Sequence, residues 1–161
     1  GQPFAAPGVE IEILGHEPLV LAVPPGSALA GRKRTGLQDL DGLPLALTPR
    51  VWGFRQALEA ALLEAGAAPG SLTECGAASL ALGLVRAGLA VSVAPRFSVE
   101  EDARQGRLAV LEWPGGLLLA PVLLLRRAGR PLSFTAETFA KAARAFFAQE
   151  PGLAPRRARR P

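Results

Sequence analysis

The sequence predicts an α/β protein of two lobes, and three observations carry that prediction. Between residues 43 and 94, strand-like and helix-like segments alternate as β, α, β, α, β, the order that builds a mostly parallel sheet. Apolar strand-like runs at 9–23 and 117–125 flank this block, so the simplest topology has one lobe made from both chain ends and a second inserted between them. The length, 161 residues, suits one ordinary domain or two small lobes and is too short for several independent domains. The outer lobe is therefore expected at 1–23 and 115–150, the inserted lobe at 24–114, and a disordered basic tail at 151–161.

Each element has a local cause. Val9, Ile11 and Ile13 alternate with Glu10 and Glu12, the period of a strand with one wet face. The run Leu19-Val20-Leu21-Ala22-Val23 is continuously apolar and stops at Pro24-Pro25-Gly26, which predicts a second strand buried on both faces. Residues 27–42 read as a connection, with Arg32-Lys33-Arg34 solvated and Leu37-Gln38-Asp39-Leu40 a single helical turn. Residues 43–47 form a strand that Pro49 ends. Phe54, Leu58, Ala61, Leu62 and Ala65 recur at helical spacing before Gly66, a residue suited to follow a helix. A short strand at 71–74, a helix at 77–87 closed by Gly88, and a strand at 89–94 closed by Pro95 complete the block. Strands at 107–113 and 117–125 follow. A last helix, about 136–149, places Phe139, Ala143, Phe146 and Phe147 on one face behind a Ser133 or Thr135 cap.

Composition excludes several classes of function. With 49% hydrophobic and 20% charged residues and a mean hydropathy of +0.24, the chain has enough apolar material for a packed core. Four of its 18 basic residues, Arg156, Arg157, Arg159 and Arg160, lie in the terminal run, leaving 14 against 14 acidic residues, so the body carries no basic footprint for nucleic acid. One cysteine and one histidine exclude an internal disulfide and leave too few ligands for zinc, so neither a metal nor a cofactor is expected. The longest apolar run is far below the roughly 20 residues that span a bilayer. The chain starts at Gly1 with no initiator Met or leader pattern, which predicts a fragment of a longer protein.

Catalytic constellations are absent from the pattern. His16, beside Glu17, reads as a turn or satisfied polar residue without a nucleophile to serve. Cys75 reads as a small buried residue at a strand end; a thiol activated by the helix that follows is the alternative. Glu100, Glu101 and Asp102 read as a solvated helical turn. The better site is Thr48-Pro49-Arg50-Val51-Trp52-Gly53-Phe54-Arg55, between a strand end and a helix start. Unpaired backbone N–H groups and the helix dipole favour an anion there, Arg50 or Arg55 can add a bidentate carboxylate contact, and Trp52 can cover it. The alternative has Arg55 solvated on the first helical turn and Trp52 packed in a hinge. Parallel strands bind ligands beyond their carboxyl ends, which brings residues 48–55, 75–79 and 94–97 to one edge.

The run His16-Glu17-Pro18-Leu19-Val20-Leu21-Ala22-Val23-Pro24-Pro25, with Leu29-Ala30-Gly31 and Leu37-Gln38-Asp39-Leu40 after it, resembles the effector-binding domain of LysR-type transcriptional regulators. The likeness continues through Leu43-Pro44-Leu45-Ala46-Leu47-Thr48-Pro49-Arg50, Gly53-Phe54-Arg55, Leu84-Val85-Arg86-Ala87-Gly88-Leu89 and Val91-Ser92-Val93-Ala94-Pro95 to the final helix, in order, over about residues 9–149. Each motif is loose and the ordered succession is specific. The resemblance implies a two-lobed, periplasmic-binding-protein-like fold that senses a small effector, a carboxylate by our reading, and performs no catalysis. It implies a cytoplasmic homodimer or tetramer that meets DNA only through an N-terminal domain outside this chain, and no membrane. It places the effector at Thr48, Pro49, Arg50, Trp52, Gly53, Phe54, Arg55, Gly76, Ala77, Ala94 and Pro95. It also implies that the first strands and helices of the outer lobe precede this chain, leaving a sheet edge that favours oligomerisation. A transport-type solute-binding protein of the same fold is the alternative.

Overall fold

Leu19 to Val23, expected to be buried on both faces, forms the middle of the molecule's larger sheet in the computed structural model, which describes residues 7–32, 34–50, 54–114 and 118–149. This run is the second half of a single strand, β1 (Val9–Val23), and not a separate element. The predicted break at Gly15-His16-Glu17-Pro18 does not occur, because proline removes a ladder donor while its fixed φ remains compatible with extended backbone.

The chain divides into two compact units, one taking the chain up to Glu17 together with the chain from Pro121, the other Pro18–Ala120. Residues 18–23 and 118–120, expected with the outer lobe, sit in the inserted unit. Their hydrogen bonds explain why. Leu19–Ala22 pair antiparallel with β4 (Ser92–Pro95), Leu21–Val23 pair antiparallel with β5 (Ala109–Leu111), and the Leu19 N–H donates to the Leu118 carbonyl at 3.1 Å.

Within the inserted unit, β2 (Pro44–Leu47) pairs in parallel with β3 (Ser71–Glu74) and, through Leu45, with Val91 just before β4. The segments expected at 43–47 and 89–94 therefore lie side by side in parallel, although regular strand geometry in the second begins only at Ser92. The strand expected at 107–113 is reduced to Ala109–Leu111. The 3₁₀ turn at Leu37–Leu40 is as expected.

Helices cover both faces of this sheet. Leu58 and Leu62 of α1 (Phe54–Ala65) pack with Leu19, Leu21, Val23, Leu45 and Leu47, whereas Leu82 and Val85 of α2 (Ala78–Arg86) pack with Val20, Ala22 and Ala94. The period-2 alternation of β1 thus sends successive side chains into two separate cores. Gly66 ends α1 at φ +66, the left-handed conformation that favours glycine. Gly70 is required for a different reason. A Cβ there would collide with the carbonyl oxygen of Gly42, where the chain passes closely enough for the Gly70 N–H to reach the Leu43 carbonyl at 3.0 Å.

The acidic run after Pro95 is not wholly solvated. It forms α3 (Glu100–Arg104), and Asp102 is buried, bonded to Arg86 at 2.7 Å and accepting from Arg107 Nε at 2.6 Å. Desolvation alone would raise the Asp102 pKa, and the two guanidinium groups outweigh it and hold the carboxyl below its ordinary range.

The other unit contains the first half of β1, the second half of β6 (Leu119–Arg127) and α4 (Phe134–Gln149). Arg144 of α4 grips Glu12 through two nitrogens, at 2.8 and 2.7 Å, and Arg126 pairs with Glu10. Ser133 caps α4 by accepting from the Ala136 N–H. The aromatic face is covered only in part, with Ala143 and Phe147 half-buried. Phe139 is 65% and Phe146 55% exposed, and Ala140 is the buried residue of the helix. The predicted basic tail lies outside the described residues.

Candidate functional site

The carboxyl ends of β2, β3 and β4 converge on one edge, where the Cys75 N–H donates to the Leu47 carbonyl at 2.8 Å. Cys75 itself is a buried free thiol packed with Ala46, Ala81 and Ala90. Beyond this edge lies a cavity of about 210 Å³ with almost wholly apolar walls, formed by the end of β2, the starts of α1 and α2, and β4 with the turn after it. It brings together four of the residues singled out from sequence, Thr48, Phe54, Ala94 and Pro95. Ala78 and Phe97, expected at this edge but not named as site residues, also line it, and the sequence reading missed Ala81, Ser92, Val93 and Ser98. Ala78 and Ala81 stand three apart on α2, a spacing that was legible, although nothing in small residues marks them as walls.

Thr48 has a further peculiarity. It is only 6% exposed, yet its Oγ1 has no hydrogen-bond partner, because the carbonyl of the same residue and not the hydroxyl meets the neighbouring guanidinium. Buried hydroxyl groups without partners are uncommon and costly.

Arg55 does not line the cavity. It lies on the buried stripe of α1 with Leu58 and Leu62, and its own chain satisfies it. Nη1 donates to the Thr48 carbonyl at 3.0 Å and to Glu74 at 2.6 Å, and Nε donates to Glu59 at 2.9 Å. Burial works to lower the pKa of this guanidinium, and the bonds to Glu59 and Glu74 outweigh it and raise it. The group thus ties α1 to the ends of β2 and β3. It is neither solvated on the first turn nor open to a ligand. Arg50 is different. Its side chain is largely exposed and reaches Glu59 at 2.5 Å, so Glu59 accepts from two guanidinium groups, and its pKa falls chiefly through the bond to Arg50.

Of the remaining expected positions, Pro49, Gly76 and Ala77 stand at the same edge without lining the cavity, and Trp52 and Gly53 lie outside the described residues. The α2 N-terminus has no side-chain cap. His16 departs from its expected role. It lies inside β1, not in a turn, and its buried Nδ1 has no hydrogen-bond partner. Among the described residues, no three His, Cys, Asp or Glu side chains gather as metal ligands, and no helix is long and apolar enough to cross a membrane.

Residues 1–148 match the LysR substrate binding domain. The chain belongs to that family. A curated relative of this LysR domain is the SDS degradation transcriptional activation protein of Pseudomonas sp. (strain ATCC 19151), 38% identical over 135 residues, a match covering 81% of the present chain and 43% of the relative. The chain thus spans under half the length of that protein. Among solved structures, the effector binding domain of QuiR in complex with shikimate has a TM-score of 0.74 at 19% identity, covering 89% of this chain and 67% of that one. The regulatory domain of CcmR from Synechocystis PCC6803 in complex with 2-PG also has a TM-score of 0.74, at 16% identity, covering 92% of this chain and 71% of that one. These likenesses give the LysR domain its mixed α/β, periplasmic-binding-protein-like fold. The family is one of transcriptional regulators and not of enzymes.

Proposed function

We propose that this LysR domain is the sensor of a cytoplasmic transcription regulator, and that it binds a small anionic effector at the edge formed by Thr48, Phe54, Ala78, Ala94 and Pro95. The observation that carries this reading is the convergence of the β2 and β4 ends with the starts of α1 and α2 on one apolar cavity. Backbone N–H groups at helix starts favour negative charge, and Arg50 adds a mobile cation. Arg50 can leave Glu59 at little cost, because Glu59 keeps its bond to the buried Arg55, and exposed ion pairs contribute only about 0–1 kcal/mol. Arg50, rather than Arg55, is therefore the carboxylate-binding arginine.

Effector occupancy then biases how copies of the chain assemble as dimers or tetramers, and the protein acts by population shift without catalysing a reaction. DNA is met through a separate part of the regulator. Small-molecule complexes of the QuiR and CcmR domains support a ligand-binding role for this fold. Thermal unfolding of the chain with a panel of small carboxylates tests the proposal. A binding compound raises Tm by mass action, Arg50→Ala weakens that rise, and Ala78→Leu, which fills the cavity, removes it. A rise unchanged by Ala78→Leu refutes the site.

A further inference from the structure

Resting on that reading, we propose that the cavity selects an effector whose body is a single apolar ring carrying one hydrogen-bonding substituent, and that Thr48 is the residue that reads the substituent. The size fits one ring. About 210 Å³ is some seven times the roughly 30 Å³ share of a water molecule, which matches a six-membered ring with one attached atom. The walls exclude a polyol. Apart from Thr48 and the two serines Ser92 and Ser98, the lining side chains offer no donor or acceptor, so the several hydroxyls of a polyol would be left largely unpaired on burial.

A single polar substituent has a natural counterpart in Thr48. Its hydroxyl is shut from solvent and unbonded, so no hydrogen bond holds the present rotamer. Rotation about χ1 exchanges a hydroxyl for a methyl of nearly equal size, which lets Oγ1 turn to a ligand without displacing its neighbours. Two serines also line the cavity: Ser98 Oγ donates to the Pro95 carbonyl at 2.6 Å, and Ser92 is buried in β4, whereas Thr48 Oγ1 is the lining hydroxyl that is buried without a partner.

Phenol, toluene and shikimate are the probes, titrated against the intact chain, Thr48→Val and Ala78→Leu by calorimetry and thermal shift. Phenol is expected to bind better than toluene, and shikimate, with its several ring hydroxyls, not to bind. Thr48→Val is expected to raise the Tm of the unliganded chain, since it removes a buried unpaired hydroxyl, and to weaken phenol roughly tenfold while leaving toluene unchanged. Ala78→Leu is expected to abolish binding of both aromatic probes. Equal effects of Thr48→Val on phenol and toluene, preferential binding of shikimate, or no binding of any ring overturn the inference. If an acyclic carboxylate then raises Tm and Ala78→Leu removes that rise, the effector site stands and only its ring selectivity falls. If Ala78→Leu alters no ligand response, the site itself falls.

Discussion

Replacing Arg55 by methionine removes the two hydrogen bonds that tie α1 to the ends of β2 and β3, and a third to Glu59 within α1, while keeping most of the volume of the buried stem. The losses are unequal. Glu59 keeps Arg50 at 2.5 Å, and Glu74, whose side chain is 56% exposed, is rehydrated, so both carboxylates lose little. The Thr48 carbonyl loses its guanidinium donor in a buried setting, which costs about 1–3 kcal/mol. Relief of guanidinium desolvation works in the opposite direction. The net expectation is a loss of about 2 kcal/mol, corresponding to a Tm lower by roughly 4–8 °C for a chain of this size. Arg55→Ala, which also empties the stem volume, should cost more, and Arg55→Lys should not rescue, since one ammonium cannot reproduce the fork that meets acceptors on three elements. Urea unfolding followed by far-UV circular dichroism gives the comparison, with Glu74→Gln as the small-effect control. A loss below about 0.5 kcal/mol for Arg55→Met would refute the structural assignment. Unchanged stability together with lost ligand response would return Arg55 to the effector site.

Asp102→Asn should cost about 1–2 kcal/mol at neutral pH, given the half-exposed arginines that face it. The folded-state pKa of Asp102 is depressed, so its contribution is present above the ordinary carboxylate value and is lost as pH falls through the lower folded value. Tm measured from neutral pH downward should show wild type and variant converging below about pH 4, and a constant gap would contradict the pairing. Gly70→Ala should destabilise by about 1–3 kcal/mol through collision with the Gly42 carbonyl, whereas Gly83→Ala inside α2, where an added Cβ meets only Arg86 Nη2 at 3.8 Å, should be neutral or gain up to ~1 kcal/mol. Leu58→Ala, at a fully buried position of α1, should cost about 2–5 kcal/mol in urea unfolding, and a smaller cost would place the core elsewhere.

The alternating block was readable because its signals are local. Helical spacing with Gly66 after it and apolar runs stopped by Pro49 and Pro95 fix elements without knowledge of their neighbours. What failed depended on tertiary partners. Asp102 looks solvated in a run of acids, but its partners Arg86 and Arg107 are 16 and 5 residues away, and nothing in the run announces them. Arg55 carries a charge on a first helical turn, and only the docking of β3 beside β2 brings Glu74 to it across 19 residues. The periodicity of α4 shows which face would gain from cover, and Phe139 and Phe146 show that a preference for cover does not supply it. In the candidate site Arg55 was the misleading residue. Its guanidinium marks it as an anion ligand in sequence, whereas Thr48, the residue with the unmet hydrogen bond, stands out there only as part of a motif.

The hydrogen bond from Leu19 to Leu118 holds the two ends of the inserted unit side by side, 3.1 Å from donor to acceptor. Ninety-eight residues lie between that donor and acceptor and return to where they left, so the segment behaves as a cassette with a single doorway. A cassette of this kind can be lifted into a loop of another host, or have its ends joined by a short linker and be reopened at an exposed turn, with little strain at the junction. Adjacent ends of this kind are what insertion into a reporter protein requires.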